Sequence, residues 1–434
     1  MKIAVLGTGY VGLSTGVCLS QIGHHVTCLD INEQKINQLR QGISPIYEPG
    51  LEELLLSNMA LGRLQFTTSQ PDTLADAEII IIAVGTPQGD DGAADLSYLV
   101  QAAKDISSYL NQDKVIVIKS TVPVGTNDVI KKLIEDRIGA TVKIVSNPEF
   151  LRQGSAIVDT MKADRIIIGS ENEEAARKIE EMYRPLNVPV IVSSTRSAEM
   201  IKYAANAFLA MKISYINEMA NLCEAVGADV ADVAKGMGMD RRIGEAFLNA
   251  GIGYGGSCFP KDVKALLHTA GANGIEFPLL KETIAINEYQ RELLVVKALK
   301  RFGDLKGKKI AMLGLAFKPE TDDMREAPSI PISAALSKWG AEVIAYDPVA
   351  TENARKVIGD TIKYAGSIGE AVYEADAVLI VTEWNEVKNL DLAELVRNMK
   401  EPIIFDGRNC FTEEKIRACG AVEYYPIGKP AIII

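Results

Sequence analysis

Short apolar runs, each closed by glycine, proline, asparagine or an acid, alternate with amphipathic stretches through the first part of the chain. Lys2–Leu6, His25–Leu29, Glu78–Ala83, Val115–Lys119, Lys143–Ser146 and Arg165–Ile168 read as strands. Most are apolar on consecutive positions, as strands are when both faces of a parallel sheet are covered by helices. From Ser197 the period changes to helical and stays so to Val226, with Ile201, Ala204, Ala205, Phe208 and Leu209 on one face. Shorter helices are predicted over Asp229–Met237 and Arg242–Ala250, another running to Ala270, and a last long one over Leu279–Phe302. After the polar linker Gly303–Gly307 the strand pattern begins again.

The restart is a repeat. Lys309-Ile310-Ala311-Met312-Leu313-Gly314 matches Lys2-Ile3-Ala4-Val5-Leu6-Gly7 at all but one position, and Val343–Asp347 echoes Val26–Asp30. Ala375-Asp376-Ala377 likewise echoes Ala75-Asp76-Ala77. The predicted fold class is therefore α/β, with two Rossmann-like doubly wound domains joined by a central long-helix domain. The expected boundaries are 1–196, 197–302 and 303–434.

The two copies differ in their first turn. Gly7-Thr8-Gly9-Tyr10-Val11-Gly12 lies between strand and helix, and Asp30 closes the next strand eighteen residues past Gly12. Strand, glycines, helix, strand and terminal acid together make the dinucleotide fingerprint. Its glycines permit a tight turn, close pyrophosphate approach and helix packing, and the helix N-terminus attracts phosphate. Asp30 would accept from a ribose diol and repel a 2'-phosphate, so NAD is expected rather than NADP. The second copy has Gly314-Leu315-Ala316-Phe317-Lys318, where a diphosphate would meet a lysine.

Composition narrows the ligand class. The 434 residues are 47% hydrophobic and 24% charged, and the net charge is −11. That balance argues against nucleic acid and anionic membranes and leaves small molecules as partners. No apolar run reaches membrane-span length. Met1–Ser20 imitates a signal peptide but is interrupted by glycines, and no cleavage pattern follows. The six cysteines show neither paired nor metal-type spacing, so no metal is expected and a reducing cytoplasm fits best.

Ligands of such sheets sit beyond the carboxyl ends of the strands. Thr86, Thr121 and Glu149 occupy such segments. On the long helix, Lys202 and Asn206 stand four apart; most such pairs are solvated, but with few other charges before Lys212 this one could instead face a polar cavity. The most pointed stretch is Gly253-Tyr254-Gly255-Gly256-Ser257-Cys258-Phe259-Pro260-Lys261-Asp262. Alone it reads first as a buried cysteine after a flexible loop, and the rest of the chain reverses that reading. Cys258 directly precedes a proline-started helix and a lysine, and both lower a thiol pKa. No histidine falls in a strand-end loop, since the three are His24, His25 and His268.

In this order and over nearly the whole length, these motifs resemble the nucleotide-sugar 6-dehydrogenases of the UDP-glucose/GDP-mannose dehydrogenase family. The Gly253–Asp262 stretch favours the UDP-glucose branch. The resemblance implies a four-electron oxidation of the sugar C6 alcohol to a carboxylate, with two NAD and one water. Cys258 would form a thiohemiacetal and then a thioester. Lys202 and Asn206 would stabilise oxyanions, and Thr121, Glu149 and Asp262 would serve proton transfers and the hydrolytic water. NAD would be held by Gly7, Gly9, Tyr10, Val11, Asp30 and Lys35, with Thr86, Thr121, Glu149, Lys261 and Arg325. The UDP-sugar would contact Glu149, Phe150, Leu151, Arg152, Lys202 and Asn206, with Tyr254, Gly255, Ser257 and Lys318. Arg242 would reach the neighbouring subunit of a homodimer built on the long helices. The alternatives are GDP-mannose or another nucleotide sugar as substrate, a two-electron hydroxyacid dehydrogenase, and a non-enzymatic NAD-responsive binding protein. The Asp406-Gly407-Arg408-Asn409 run receives no role.

Overall fold

The computed structural model describes residues 1–89, 92–110 and 113–434. It has two compact units, residues 1–205 with 268–274, and residues 206–267 with 275–434.

The first unit is built on eight strands: β1 (Lys2–Leu6), β2 (His25–Leu29), β3 (Leu64–Thr67), β4 (Ile79–Ile82), β5 (Val115–Ile118), β6 (Lys143–Ser146), β7 (Ile166–Gly169) and β8 (Val190–Ser193). They lie in the order β3-β2-β1-β4-β5-β6-β7-β8. Alternate residues of β1 feed opposite faces. Ile3 and Val5 pack with Leu13 and Val17 of helix α1 (Tyr10–Gln21). Ala4 and Leu6 join the core of Leu99, Ile106 and Ile130 on the other face. Ile130 belongs to helix α2 (Thr126–Ile138). Two-sided burial is why these strands read as unbroken apolar runs. Because the order runs outward from β1 to β3 and then restarts at β4, the loops after β1 and β4 diverge and leave a crevice at their carboxyl ends.

The second unit holds seven strands: β9 (Lys309–Leu313), β10 (Glu342–Tyr346), β11 (Lys363–Tyr364), β12 (Ala377–Ile380), β13 (Ile403–Asp406), β14 (Glu423–Tyr425) and β15 (Ile432–Ile433). Their order, β11-β10-β9-β12-β13-β14-β15, repeats that of β3-β2-β1-β4-β5, so the sequence repeat is a repeat of topology. Three further helices carry site residues: α3 (Thr195–Val226, 32 residues), α4 (Phe259–Ala272) and α5 (Pro278–Phe302). Within the second unit α3 and α5 are tied by Ser214 Oγ donating to the Thr283 carbonyl at 2.8 Å and by Lys297 on Glu224 at 2.6 Å.

Two expectations need correction. The sheets are not wholly parallel. β6 and β7 pair antiparallel through Ser146 and Gly169, and β14 pairs antiparallel with β15. The helix expected over Arg242–Ala250 does not form, and that stretch is turns and bends. Gly244 and Phe247 take positive φ (72° and 65°), which interrupts a right-handed helix. The Lys212 ammonium donates to the Ile243 and Gly244 carbonyls (3.1 and 3.2 Å) and so satisfies acceptors that a helix would have used. The strands β3 and β8 were not anticipated, being short and, in β8, partly exposed.

Candidate active site

The first part of the site lies at the crevice after β1. Gly7 has φ +94°, and a Cβ there would stand 2.7 Å from the Ala83 carbonyl oxygen. A Cβ on Gly12 would fall 2.0 Å from the Gly7 carbonyl oxygen, so that glycine is required by packing alone. Gly9 differs, because a Cβ there would meet nothing within 4 Å. It is the N-cap of α1, has no side-chain cap, and no acid stands in the first turn. Such a helix start offers backbone N–H groups and the positive dipole end to a phosphate. Val11 follows in the first turn, partly buried. The Tyr10 hydroxyl accepts from Gly154 N–H at 2.7 Å, and Glu48 accepts from Gly154 and Ala156 N–H, which fixes the segment after β6 against the start of α1.

Asp30 ends β2. Its Oδ2 accepts from the Thr8 N–H (2.8 Å) and hydroxyl (2.7 Å) and meets Lys35 Nζ at 3.4 Å, while Oδ1 accepts from Asn32 N–H at 3.0 Å. Burial pushes the Asp30 pKa up, but the hydrogen bonds from Thr8 and Asn32 and the Lys35 charge outweigh it and hold the group below its ordinary value. It is therefore a carboxylate, and Oδ1 retains a lone pair for a diol. These residues suit a dinucleotide: an uncapped helix start, an open glycine and a fixed carboxylate. Nearby, Thr86 Oγ1 donates to the Thr121 carbonyl at 2.9 Å, bracing two of the strand-end loops against each other.

A second group sits after β6. Glu149 and Lys202 are both buried, at 5% and 3% exposure, and pair at 3.2 Å. Glu149 Oε2 also accepts from Leu151 N–H at 2.8 Å. The ring of Phe150 lies beneath two cations, Lys202 at 5.2 Å and Arg165 at 3.9 Å from its centroid. Arg152 turns elsewhere. Its guanidinium grips Asp159 through Nε and Nη2 at 3.0 and 2.7 Å, and that hydrogen bond raises the Arg152 pKa.

In the second unit the residues around Cys258 are gathered by α4. The Cys258 carbonyl accepts from Asp262 N–H at 2.8 Å, so Cys258 is the residue from which the helix starts, and Ser257 Oγ lies 3.7 Å from its sulfur. One turn on, Asp262 is 2% exposed and carries a donor on each oxygen: Asn206 Nδ2 at 2.6 Å and Lys261 Nζ at 2.7 Å. The cation that the sequence puts beside the thiol is thus bound to Asp262. Arg325 lies within electrostatic reach of Cys258. Burial works against the Arg325 charge, but the hydrogen-bonded Asp323 carboxylate outweighs it, Cys258 and Asp322 add to the effect, and the Arg325 pKa is raised.

The glycine loop is pressed onto this unit. A Cβ at Gly255 would fall 2.2 Å from the Glu326 carbonyl oxygen. The backbone of Tyr254 is clasped by Asn287 of α5 at 2.8 and 3.0 Å, and Arg291 adds a bond to its carbonyl at 3.0 Å. Burial raises the Tyr254 hydroxyl pKa, keeping it a neutral phenol. Lys318 lies 5.6 Å from the centroid of the neighbouring Phe317 ring. Arg242 is not gathered in. Its side chain is 88% exposed and forked onto Asp240.

One residue without an expected role belongs here. Arg408 donates from Nε to the Val381 carbonyl, from Nη1 to Gly253 and from Nη2 to Phe317, at 2.8, 3.2 and 3.4 Å. It ties the Cys258 loop to the carboxyl ends of β12 and β9. The signal was the polar Asp406–Asn409 run closing an apolar strand, the position where ligands and their supports collect. Among the described residues no cluster of three or more histidines, cysteines or acids is placed to hold a metal ion.

Three stretches match models of one family. Residues 1–187 match the NAD binding domain, 196–289 the central domain and 311–413 the UDP binding domain of the UDP-glucose/GDP-mannose dehydrogenase family. The chain is 55% identical to UDP-glucose 6-dehydrogenase YwqF of Bacillus subtilis (strain 168), covering 100% of this chain and 99% of that one. It is 48% identical to UDP-glucose 6-dehydrogenase of Rhizobium meliloti (strain 1021), covering 99% and 100%. Among solved structures, a UDP-glucose dehydrogenase from the hyperthermophilic archaeon Pyrobaculum islandicum superposes with a TM-score of 0.92 at 37% identity, covering 98% of this chain and 97% of that one.

Proposed function

The chain belongs to the UDP-glucose/GDP-mannose dehydrogenase family and is an NAD-dependent oxidoreductase, and from that premise we propose that it oxidises UDP-glucose to UDP-glucuronate. The observation that carries the mechanism is Cys258 at the start of α4 with Asp262 one turn later, bonded to Asn206. NAD, when bound, supplies the hydride acceptor for both two-electron oxidations, alcohol to aldehyde and thiohemiacetal to thioester.

The chain's own residues do the rest. The Cys258 sulfur adds to the aldehyde carbon, and the carbonyl electrons move onto oxygen. Lys202 and Asn206, one turn apart on α3, stabilise that oxyanion with an ammonium and an amide N–H. Asp262 orients Asn206 and accepts from Lys261 on its other oxygen. Water, activated in the Glu149–Thr121 region, adds to the thioester carbon, and the tetrahedral adduct expels the Cys258 thiolate. The covalent bond keeps the aldehyde from escaping between the two oxidations.

The same reading assigns NAD to residues 1–196 through Gly7, Gly9, Tyr10, Val11, Asp30, Lys35, Thr86 and Thr121, with Lys261 and Arg325 completing the set. It assigns the UDP-sugar to residues 303–434 through Lys318, and to Phe150, Leu151, Arg152, Tyr254, Gly255 and Ser257. Residues 197–302 would carry Cys258 and the dimer contact. Six free thiols support a reducing cytoplasmic setting, and among the described residues no helix is long and apolar enough to cross a membrane.

The test follows NADH against limiting UDP-glucose in wild type and Cys258→Ser, with GDP-mannose in parallel. Two NADH per UDP-glucose, with sustained turnover lost in the variant, is the expected result. One NADH per sugar or a fully active variant overturns the thioester route, and a response to GDP-mannose alone changes the substrate.

A further inference from the structure

Ahead of Lys202 and Asn206, α3 carries another buried polar side chain that the mechanism leaves unused. Glu199 is 2% exposed and stands three residues before Lys202, on the same side of the helix. Its Oε2 accepts from Gly125 N–H at 2.6 Å, and its Oε1 accepts from Asn127 N–H at 2.8 Å and Asn127 Nδ2 at 2.7 Å. The neighbouring cation Arg196 is taken by Asp128 at 2.8 Å. Burial pushes the Glu199 pKa up against the hydrogen bonds from Asn127 and Gly125.

Gly125 is the N-cap of α2 and brings no side-chain cap. The Glu199 carboxylate supplies one from another helix, meeting two backbone N–H groups and the positive dipole end. The capped turn closes the segment Ser120–Thr126. The start of that segment is held separately, by Ser120 Oγ on the Val84 carbonyl at 2.7 Å and by Thr86 Oγ1 on the Thr121 carbonyl. A helix needs no buried acid seventy-odd residues away merely to begin, since a serine or aspartate at its own N-cap would serve. What the remote acid adds is a fixed relation between the Thr121 segment and the turn of α3 that bears Lys202.

We infer that Glu199 is a positioning residue for the oxidation, holding Thr121 in place relative to Lys202. The inference rests on the proposed function. Replacing Glu199 by glutamine keeps size and one acceptor, but turns an amide donor toward one of the backbone N–H groups. The Thr121 segment then loses one of its two anchors.

The experiment uses Glu199→Gln, Thr121→Ala and the double variant, with kinetics on UDP-glucose and titration calorimetry of NAD. Expected is a loss of about ten-fold or more in kcat/KM for NAD in Glu199→Gln, the size of one charge-assisted hydrogen bond, with KM for UDP-glucose little changed. In the Thr121→Ala background the same substitution costs less than about two-fold, because the positioned group is gone. Wild-type kinetics in Glu199→Gln, or an equal loss with and without Thr121, overturns the inference and leaves Glu199 a structural cap. If Glu199→Gln does not fold, Asn127→Ala removes only the side-chain bond and is read in its place for a smaller loss that likewise vanishes without Thr121. A wild type inert towards UDP-glucose fails the substrate reading instead, and the calorimetric NAD affinities still decide the role of Glu199.

Discussion

At the scale of single residues, the site is held by ionic pairs whose members cannot be removed one at a time without stranding the other. Lys202 and Glu149 are the clearest case, both almost fully buried and 3.2 Å apart. Lys202→Met leaves the Glu149 carboxylate in a low-dielectric site without its counter-charge, still accepting from the Leu151 N–H. The expected cost is about 3 kcal/mol of folding stability, read from urea unfolding. Adding Glu149→Gln to that variant restores much of the stability, because the stranded charge goes, but does not restore turnover. If the double variant is no more stable than the single one, the stability of this site does not come from charge pairing. Of the residues involved, Lys202, Asn206, Glu149 and Asp262 were named from the sequence. Their pairings were not, because Glu149 and Lys202 are fifty-three positions apart and Asn206 and Asp262 fifty-six. The Asp406–Asn409 run stood out without a role for Arg408, and Glu199 was missed altogether. Glu199 supports a loop through backbone groups, and such a role leaves no residue-type pattern in the chain.

At the scale of elements, the glycine fingerprint separates into positions set by packing and one, Gly9, that packing leaves open. Gly12→Ala puts a methyl 2.0 Å from the Gly7 carbonyl oxygen and is expected to destabilise by about 3 kcal/mol. Gly9 has φ −70°, which alanine adopts freely, and open space around its Cβ position. Gly9→Ala is therefore expected to melt within about 0.5 kcal/mol of wild type while binding NAD about ten-fold more weakly. Thermal melting with and without NAD checks both, and a Gly9→Ala protein with normal NAD affinity would remove that turn from the phosphate site. The second copy shows how the same element is put to another use. Asp347 ends β10 as Asp30 ends β2, but its two oxygens accept from Leu315, Ala316, Val349 and Ala350 N–H and from the Trp384 indole. All its acceptor capacity is spent on its own turn, which leaves none for a ribose. The repeat was legible as letters, since strand and acid recur in register. Whether each acid serves a ligand or a turn depends on how many donors fold onto it.

At the scale of the whole molecule, α3 and α5 carry large apolar side chains that none of the described residues covers. Phe208, Tyr215 and Leu222 recur every seven residues on α3 and are 58%, 49% and 54% exposed. Tyr289 and Val296, also seven apart on α5, are 60% and 46% exposed. Seven residues fall about twenty degrees short of two helical turns, so each set forms one exposed stripe, the surface on which the proposed dimer is tested. Phe208→Glu with Tyr215→Glu is expected to halve the mass seen by light scattering. If Arg242 works across that interface, the same variant loses turnover while its NAD affinity stays near wild type. A dimer that persists in the double variant places the contact elsewhere.

The sequence by itself determined the two sheets, the repeat, the NAD fingerprint and the cysteine helix start, because each is written in local period and spacing. It failed where a local pattern was outvoted by distant partners. Arg242–Ala250 reads as a helix, yet Lys212 takes its carbonyls, and two of its residues turn to positive φ. The tertiary structure alone decided which acid meets which base, which glycine faces open space, and which buried carboxylate braces the Thr121 segment. Those outcomes depend on side chains many tens of positions apart arriving at one place, and the energies of burial and hydrogen bonding that select them exist only once the chain has folded.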